Sequence, residues 1–366
     1  MNIKTTHGNL RLPVFMPDAT RGFIKVCGNS DLIKAGMEAL VVNTFHLYLQ
    51  PGINLIKKAG GIHKFMDWGK PLVSDSGGFQ IFSLIHRNSK MGKINDDGAF
   101  FKSPIDGSSH EISPEMSIQI QFDLGTDFMV CLDDCPPYGF VEKEIKSSVE
   151  RTLKWAKRCH VEYIKQIKKR KLDEKSRPKL IAVIQGGLSK EFRKKCLDGL
   201  LEISQEKVLG ECIPFAGYGF GARPVDENGN FLFDILDYTA KIIPDGKIKF
   251  ALGIGTPSDI VRCQKMGWNM FDCVIPTREG RHGKIFKFAR KKSLNGKFYQ
   301  ELNVKNFAFS TNFNKINIDS SFYDLKTNSL SYLNHLFKIN EALGQRLASL
   351  NNLEFYSSLI NVLRKK

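Results

Sequence analysis

The sequence predicts an α/β protein whose strands close into an eight-stranded (β/α)8 barrel. From about residue 39 onward, short apolar runs alternate with longer segments of helical character, which predicts a parallel sheet. Seven such runs lie between residues 39 and 277, and this number fits an eightfold barrel better than an open sheet of five or six strands. No GxGxxG follows the first strand and no GxxxxGK[ST] occurs, which disfavours the nucleotide-binding open sheets. The predicted architecture is therefore a TIM barrel.

The predicted barrel strands are, in order, ALVVNTF (39–45), PLVSDSGG (71–78), FMVCLDD (128–134), KLIAVIQGG (179–187), FAGYGFG (215–221), IKFALGIG (248–255) and MFDCVIPT (270–277). Several of the segments between these runs are typical of amphipathic helices. One helix is expected to begin at Ser113-Pro114-Glu115, because a capping serine followed by a proline in the first turn starts a helix well. The residues before the first run predict a small N-terminal β element.

The C-terminal part of the chain has a different character. The segment RKKSLNGKFYQELNVKNF (290–307) predicts a hairpin or a small sheet. Six apolar residues then follow near-helical spacing and predict a helix that packs onto the barrel: Leu333, Leu336, Phe337, Leu343, Leu347 and Leu350. We expect a single domain over residues 1–366, with the barrel at about 10–290 and a C-terminal helical subdomain at about 291–366.

Polar or glycine-rich residues end most of the predicted strands. They are Asp75-Ser76-Gly77-Gly78, Asp133-Asp134, Gln185-Gly186-Gly187, Gly219, Gly253–Gly255 and Asp272. For any single aspartate, a helix cap or a turn is the simpler interpretation. A barrel, however, gathers the carboxyl ends of its strands at one face, where the loops converge. The set as a whole therefore predicts one pocket.

The charge balance indicates a polyanionic partner. The 366 residues are 42% hydrophobic and 25% charged, as in soluble globular proteins, and Lys+Arg minus Asp+Glu is 54 − 38 = +16. Such an excess favours nucleic acid first and an anionic membrane second, with a merely basic surface as the alternative. Arg278 and Arg281 follow the last strand, beside the predicted pocket, and are candidate phosphate contacts. The dense basic stretch at 151–195 is expected to be a solvated helix face.

We expect a cytoplasmic protein without a membrane partner. No apolar run approaches the roughly 20 residues of a transmembrane helix. The N-terminus MNIKTTHGNLRLPVF lacks the apolar core of a signal peptide. The eight cysteines contain no CxxC and are interpreted as free thiols in a reducing compartment.

Seven collinear motifs carry a specific resemblance, from about residue 8 to the C-terminus. They are PVFMPDAT, NTFHLYLQPG, SDSGGFQIFSL, SPEMSIQIQFDLGTD, LDDCPPY, FALGIGTPSDI and MFDCVIPTREGRHG. Together they closely resemble the tRNA-guanine transglycosylase family, also called queuine tRNA-ribosyltransferases. The resemblance implies a (β/α)8 barrel that exchanges the wobble guanine of certain tRNAs for a 7-deazaguanine. We expect the bacterial form to be the closer match, since the sequence shows no match to the C-terminal RNA-binding domains typical of archaeal relatives.

The resemblance also implies a mechanism. Replacing a base at a ribose C1′ with retained configuration requires two displacements through a covalent enzyme–sugar ester, as in retaining glycosidases. By its place in FDCVIPT, Asp272 matches the family's nucleophile. Asp75, in SDSGGF, matches the carboxylate that accepts and returns protons of the leaving and entering bases.

The remaining site residues are carried over from the same motifs. Base-binding positions are Asp75, Ser76, Gly77, Gly78, Phe79, Asp133, Gln185 and Gly219, with Phe79 as the aromatic that stacks on the base. Positions that hold the anticodon loop are Gly253, Ile254, Gly255, Thr256, Pro257, Ser258, Asp259, Pro276, Thr277, Arg278, Glu279, Gly280 and Arg281. The expected partners are the tRNA anticodon loop, the free 7-deazaguanine base and a second copy of the chain in a homodimer.

One departure from the family concerns its structural zinc. The family binds zinc through CxCxxC and a later histidine, but here Ser320, Phe322 and Leu325 occupy the cysteine positions and only His335 remains. One imidazole cannot replace four ligands, so we predict no metal and no cofactor. Our hypothesis is that a small apolar cluster replaces the ion.

A second departure lies in the wall of the base pocket, where the sequence is YGFGARPVDE (218–227). The family's glutamate near this wall falls on Pro224, although Glu227 lies close by. The incoming base could therefore be 7-aminomethyl-7-deazaguanine, which the family favours, or the larger queuine. Two other functions stay open at this point: a catalytically inactive tRNA-binding paralogue or accessory subunit, and a barrel glycosidase or nucleosidase that acts on small molecules.

Overall fold

The computed structural model describes residues 1–136, 141–222, 225–226, 229–289, 294 and 296–365. The strands are β1 Asn2–Thr5, β2 Gly8–Arg11, β3 Val14–Pro17, β4 Leu40–Asn43, β5 Leu72–Asp75, β6 Gly92–Ile94, β7 Ala99–Lys102, β8 Ser109–Ile112, β9 Phe128–Val130, β10 Lys179–Ile184, β11 Gly217–Phe220, β12 Ile248–Ala251, β13 Met270–Cys273, β14 Lys284–Phe288 and β15 Tyr299–Asn303. The α-helices are α1 Asn29–Lys34, α2 Thr44–Leu49, α3 Ile53–Lys58, α4 Ile62–Met66, α5 Gly78–Arg87, α6 Pro114–Leu124, α7 Glu142–Arg170, α8 Lys190–Gln205, α9 Phe233–Ile242, α10 Pro257–Lys265, α11 Ile275–Arg281, α12 Tyr323–Thr327, α13 Leu330–Lys338 and α14 Ala342–Leu363. Short 3₁₀ turns lie at Ser89–Met91 and Phe307–Phe309.

Eight strands form one parallel sheet in the order β3-β13-β12-β11-β10-β9-β5-β4. The two outer strands meet at a parallel bridge between Asp18 and Val41, where the Ala19 N–H donates to the Val41 carbonyl at 2.7 Å, and this closes the barrel. Each of the seven predicted runs contains one of these strands. The eighth strand, β3, comes from the PVFMPDAT segment. The predicted (β/α)8 barrel is confirmed.

The side chains of the barrel strands point alternately into the barrel and outward toward the helices, and both sets are apolar. Residues such as Val14, Met16 and Met270 belong to one buried cluster, which fills the barrel interior. Their chain neighbours Phe15 and Phe271 belong to another cluster, which packs under the surrounding helices. Because side chains of a strand alternate between its faces, every second residue of a barrel strand points inward. This parity also decides which polar residues at the strand ends enter the barrel mouth.

The smaller elements agree with the sequence-based expectations in most respects. Strands β1 and β2 form the antiparallel N-terminal element. Helix α6 begins where predicted, and its capping residue Ser113 accepts a hydrogen bond from the Met116 N–H at 3.2 Å. The strand predicted within 290–307 is β15, but its antiparallel partner is the earlier strand β14. The division near residue 290 stays a prediction, since residues 290–293 lie outside the described part of the chain.

The C-terminal apolar stripe is divided between two helices instead of one. It breaks after Ile339, because Asn340 adopts a left-handed backbone with φ of 56°. Leu333 and Leu336 are buried on α13, and Leu347 and Leu350 are buried on α14. Helix α14 packs closely on α11, since a Cβ added at Gly280 would lie 2.7 Å from the Ser349 backbone. The tail thus supports the loop that follows the last barrel strand.

Many cations of the basic stretch at 151–195 are accessible to solvent, as expected, and several of them also form ion pairs. On α7, Arg158 pairs with Glu115 at 2.7 Å and Lys157 pairs with Glu206 at 2.8 Å. Arg151 on the same helix pairs with Asp134, which follows β9. The ion pairs therefore connect α7 to neighbouring units of the barrel.

None of the helices in the described ranges is long and apolar enough to cross a membrane.

Candidate active site

A cavity of about 540 Å³ opens at the carboxyl ends of the barrel strands. Its described lining residues are Asp18, Asp75, Phe79, Gln80, Val130, Asp133, Cys135, Val183, Phe220, Gly221, Ala222, Val225, Phe231, Leu252, Gly253, Ile254, Gly255, Thr256, Asp259, Asp272, Ile275 and Arg278. The set contains five aspartates and one cation, Arg278. The mouth of the cavity is thus acidic, although the whole chain carries a charge of +16.

Strand parity explains why particular polar residues meet here. On five of the barrel strands, a polar residue follows an inward apolar residue by two positions, so both lie on the same face. The pairs are Met16 and Asp18, Val41 and Asn43, Val73 and Asp75, Val183 and Gln185, and Met270 and Asp272. Asp133 follows β9 and lines the same cavity. The sequence prediction that Asp75, Asp133 and Asp272 share one pocket agrees with this geometry.

Asp272 lies at the end of β13 and is partly accessible through the cavity. The backbone N–H of Gly253 donates to its Oδ1 at 2.9 Å. Burial raises the pKa of Asp272 to about 7 in spite of this hydrogen bond, and the charge of Asp75 acts in the same direction. The carboxylate is therefore held in place and changes its charge near neutral pH.

Asp75 ends β5, where strand register places it beside Asn43 of β4. The Asn43 amide donates to its Oδ2 at 2.7 Å. Burial raises the pKa of Asp75 to about 6, while hydrogen bonds from the Gly77 and Ser76 backbones and from Asn43 oppose the rise. A carboxylate with such a pKa takes up and returns protons readily at neutral pH.

Asp133 and Gln185 form a buried pair. The Gln185 Nε2 donates to the Asp133 Oδ2 at 2.6 Å, and burial raises the pKa of Asp133 to about 7. Gln185 Oε1 is buried and finds no hydrogen-bond donor among the described residues. The backbone must approach closely here, since a Cβ at Gly221 would lie 2.4 Å from Gln185 Nε2. Asp133 lines the cavity and can accept hydrogen bonds from a ligand, while the buried Gln185 holds its carboxylate in place.

The glycines of SDSGGF give Phe79 its position. Gly77 has φ of +80°, and a Cβ there would lie 2.6 Å from the Cβ of Phe45. A Cβ at Gly78 would lie 3.2 Å from the Asp133 carbonyl oxygen. The two glycines let helix α5 start directly against the strand ends. Phe79 consequently lines the cavity with 46% of its surface exposed, as a stacking aromatic would.

The other predicted positions divide into two groups. Gly253, Ile254, Gly255, Thr256, Asp259 and Arg278 line the cavity. The remaining positions are not among its lining residues: Ser76, Gly77, Gly78, Gln185, Gly219, Pro257, Ser258, Pro276, Thr277, Glu279, Gly280 and Arg281. Several of them support the lining residues. Pro276 and Thr277, for example, are buried, and their carbonyls accept hydrogen bonds from Asn352 and Ser349 of α14. Pro224 and Glu227, considered for the base-pocket wall, lie outside the described residues.

Two polar residues of this site, Asp18 and Asn43, were not predicted from the sequence. Both lie inside recognisable motifs, PVFMPDAT and NTFHLYLQPG. The available signal was the alternation itself, because each follows an inward apolar residue by two positions. For Asp18 that signal required assigning its segment to the barrel, which only the closure between β3 and β4 establishes.

The positions of the family's zinc cysteines do not fit a metal ion in this chain. Phe322 and Leu325 are buried in the cluster beneath α14, and Ser320 donates a hydrogen bond to Glu354. His335 is exposed on α13. Hydroxyl and apolar groups do not supply the thiolates that a structural zinc site uses.

Within the described ranges, His7, His63 and Asp127 form one compact group of metal-binding residue types. Asp127 precedes β9, so the group lies at the opposite end of the barrel from the cavity. Its carboxylate already accepts hydrogen bonds from the backbone N–H groups of Leu72 and His7, at 2.9 and 3.2 Å, and lies 3.0 Å from His7 Nδ1. These contacts anchor the N-terminal β element to the barrel.

Comparisons with known proteins agree with the motifs. The model of a family described as Queuine tRNA-ribosyltransferase matches residues 1–366. A queuine tRNA-ribosyltransferase of Halothermothrix orenii is 37% identical over 99% of this chain and 88% of its own length. Relatives with the same name from a Thermoanaerobacter species and from Fusobacterium nucleatum are each 38% identical over 99% of this chain, covering 88% and 89% of their lengths. The chain therefore belongs to the queuine tRNA-ribosyltransferase family of pentosyltransferases.

Proposed function

We propose that this protein exchanges the wobble guanine of certain tRNAs for a 7-deazaguanine through a covalent enzyme–RNA intermediate. The observation that carries the proposal is the convergence of Asp272, Asp75 and Asp133 on one cavity, with the buried Gln185 donating a hydrogen bond to Asp133. This arrangement provides a nucleophile, a proton acceptor and a base-reading edge in the same space. Membership of the family, whose relatives bear the corresponding name, supports the same reaction.

The proposed reaction uses two displacements at the ribose C1′. The Asp272 carboxylate attacks C1′, the bond from C1′ to the guanine N9 breaks, and an ester joins the enzyme to the RNA. The incoming base then attacks C1′ through its N9, and Asp272 leaves as a carboxylate. Two inversions give net retention. Asp75 supplies a proton to the departing guanine and takes the N9 proton of the incoming base.

The acidic cavity also supports a choice of incoming base. Asp133 and the unpartnered Gln185 Oε1 can accept hydrogen bonds from the amino and imino groups of a guanine-type edge. Those of the five lining carboxyl groups that are ionised near neutral pH favour a base that carries a positive charge. We therefore propose 7-aminomethyl-7-deazaguanine, whose ammonium group is a cation at neutral pH, as the physiological base.

RNA binding is proposed for the rim of the cavity. Segment 253–259 combines a cavity-lining loop with the start of α10, and Arg278 is exposed beside it. Flipping a base out of an anticodon loop requires less energy than extracting it from a duplex. The net charge of +16 gives the electrostatic attraction that phosphate neutralisation requires.

The experiment is exchange of labelled guanine into unmodified anticodon stem-loops that carry guanine or adenine at the wobble position. We expect incorporation into the guanine substrate and none into the adenine control. Binding of the stem-loop should weaken steeply as salt rises, because phosphate contacts dominate affinity. Salt-sensitive binding without incorporation would favour a catalytically inactive tRNA-binding paralogue. Absence of RNA binding, with hydrolysis of small nucleosides, would favour the glycosidase alternative.

We further propose that the C-terminal subdomain folds without zinc. Phe322 and Leu325 are buried, and each contributes about 1.5–3 kcal/mol by leaving water. Glu354 of α14 accepts hydrogen bonds from the Ser321 N–H at 2.7 Å and from the Ser320 and Ser321 hydroxyls. These contacts connect the segment to the long helix, as a metal ion would otherwise do.

Metal analysis tests this proposal. Protein purified without chelator should contain far less than one zinc ion per chain by inductively coupled plasma spectrometry. Its melting temperature should not change after treatment with EDTA, since no ligand set is lost. Stoichiometric zinc, or a melting temperature lowered by EDTA, would contradict the proposal.

The homodimer stays a prediction, which the exposed apolar side chains of Phe313, Ile318 and Tyr323 support.

A further inference from the structure

Asp18 is the cavity residue nearest to the closure of the barrel. It follows β3 and continues the inward row of Val14 and Met16. On one side β3 pairs with β13, where Met16 is in register with Asp272. On the other side Asp18 bridges to Val41 of β4. The Asp18 carboxyl group therefore lies beside the proposed nucleophile and lines the same cavity.

The contacts of Asp18 differ from those of the other two carboxylates. Asp75 receives a hydrogen bond from Asn43, and Asp272 receives one from the Gly253 N–H. The Asp18 carboxyl group lies close enough to that of Asp272 for the two to interact, and no amide, hydroxyl or cationic group in the described part of the chain donates a hydrogen bond to Asp18. Burial first, and then the charges of Asp272 and Asp75, raise the pKa of Asp18 well above its usual range. Because Asp18 is partly accessible and lines the cavity, its carboxyl oxygens can accept a hydrogen bond from a bound ligand.

The stereochemistry of a nucleoside indicates which ligand group meets Asp18. The base is attached to C1′ on the β face, so a displacing nucleophile must approach from the α face. The 2′-hydroxyl is attached to the neighbouring carbon on that same α face. A second carboxyl group beside the nucleophile is consequently placed toward the 2′-hydroxyl, whereas Asp133 and Gln185 are placed toward the base.

We propose that Asp18 hydrogen bonds to the 2′-hydroxyl of the nucleotide whose C1′ Asp272 attacks, and so selects ribose over 2′-deoxyribose. The inference rests on the proposed function, because it assigns the sugar contact of that same reaction. A carboxyl oxygen accepts from a ribose hydroxyl, and the 2′-hydroxyl is the group by which proteins distinguish RNA from DNA. A hydrogen bond to the 2-hydroxyl also strengthens in the transition state of retaining glycosyl transfer.

The test compares two anticodon stem-loops that differ at one atom, with guanosine or 2′-deoxyguanosine at the wobble position. Labelled-guanine exchange by the wild type should favour the ribonucleotide by about 10- to 100-fold in kcat/KM. Asp18→Ala and Asp18→Val lack a hydrogen-bond acceptor. In these variants the kcat/KM values for the two substrates should differ by no more than a few-fold. Asp18→Asn retains a carbonyl acceptor and should keep part of the preference for the ribonucleotide. Comparing ratios between variants cancels the intrinsic difference in reactivity of the two sugars.

The outcomes separate this inference from the function on which it rests. Wild type that exchanges guanine but keeps its full ribose preference in Asp18→Ala or Asp18→Val would overturn the role of Asp18 alone. Wild type that exchanges neither substrate would overturn the proposed function and the inference together. A purely structural role would lower kcat/KM for both substrates equally and leave their ratio unchanged. Asp18→Ala and Asp18→Val differ in side-chain size. If one of them does not fold, the other can still be measured.

Discussion

Asp272→Asn is expected to abolish guanine exchange while tRNA binding and the melting temperature remain close to those of the wild type. The amide has nearly the same shape as the carboxyl group, and it can keep the hydrogen bond from the Gly253 N–H through its oxygen. It cannot form the ester with C1′, however, so both displacements fail. Loss of a covalent nucleophile lowers turnover by a factor on the order of 10⁴ or more. Labelled-guanine incorporation into the stem-loop is the measurement.

A second readout of this variant concerns the covalent intermediate. Wild-type protein incubated with stem-loop RNA should give an enzyme–RNA species that survives denaturing electrophoresis, and Asp272→Asn should give none. Binding of the same RNA, measured by filter retention, serves as the control for folding and for the electrostatic surface. A variant that still forms the adduct, or exchanges guanine at a rate near that of the wild type, would assign the nucleophile to another residue.

Asp75→Asn is expected to lower kcat/KM for guanine exchange by about 10²- to 10⁴-fold, the usual contribution of a general acid–base group. The asparagine retains contact with Asn43 but cannot take the N9 proton of the incoming base. In contrast to the nucleophile variant, it should still form the covalent enzyme–RNA species, only more slowly. Exchange kinetics and denaturing electrophoresis therefore distinguish the two carboxylates.

The pH profile provides a further test of Asp75. The nucleophile must be ionised, and burial raises the pKa of Asp272 to about 7, so wild-type kcat/KM should fall as pH decreases below that value. The charge of Asp75 contributes to that rise. Removing the charge in Asp75→Asn should lower the pKa of Asp272, and the acidic limb of the profile should move to lower pH. An acidic limb that does not move, or that moves to higher pH, would contradict the proposed coupling.

Local sequence patterns were sufficient for the strands and for most of the site. Each apolar run is long enough for one buried strand, and the polar residues that follow it must lie at the carboxyl end. The sequence alone therefore predicts that Asp75, Asp133 and Asp272 share one pocket. The start of α6 could also be predicted from local sequence, since a serine cap and a following proline act within one helical turn.

Features that depend on contacts between distant segments were not predictable in this way. The apolar stripe of the C-terminal region continues across residues 333–350, so its spacing alone does not mark the left-handed Asn340 that divides it. The cations of α7 look like a solvated face in sequence, because their partners Glu115 and Glu206 lie 43 and 49 residues away. Likewise, nothing near Ser320 and Ser321 indicates that Glu354 will accept their hydrogen bonds.

The sequence by itself determined the barrel, the family and the carboxylates proposed for chemistry, because strand alternation and collinear motifs are properties of the chain. Only the tertiary structure decided how those carboxylates are arranged. Closure between β3 and β4 brings Asp18 beside Asp272, and strand register brings Asn43 to Asp75. Residues far apart in sequence acquire raised pKa values and a common cavity only when the sheet closes, since electrostatic coupling depends on distance in space.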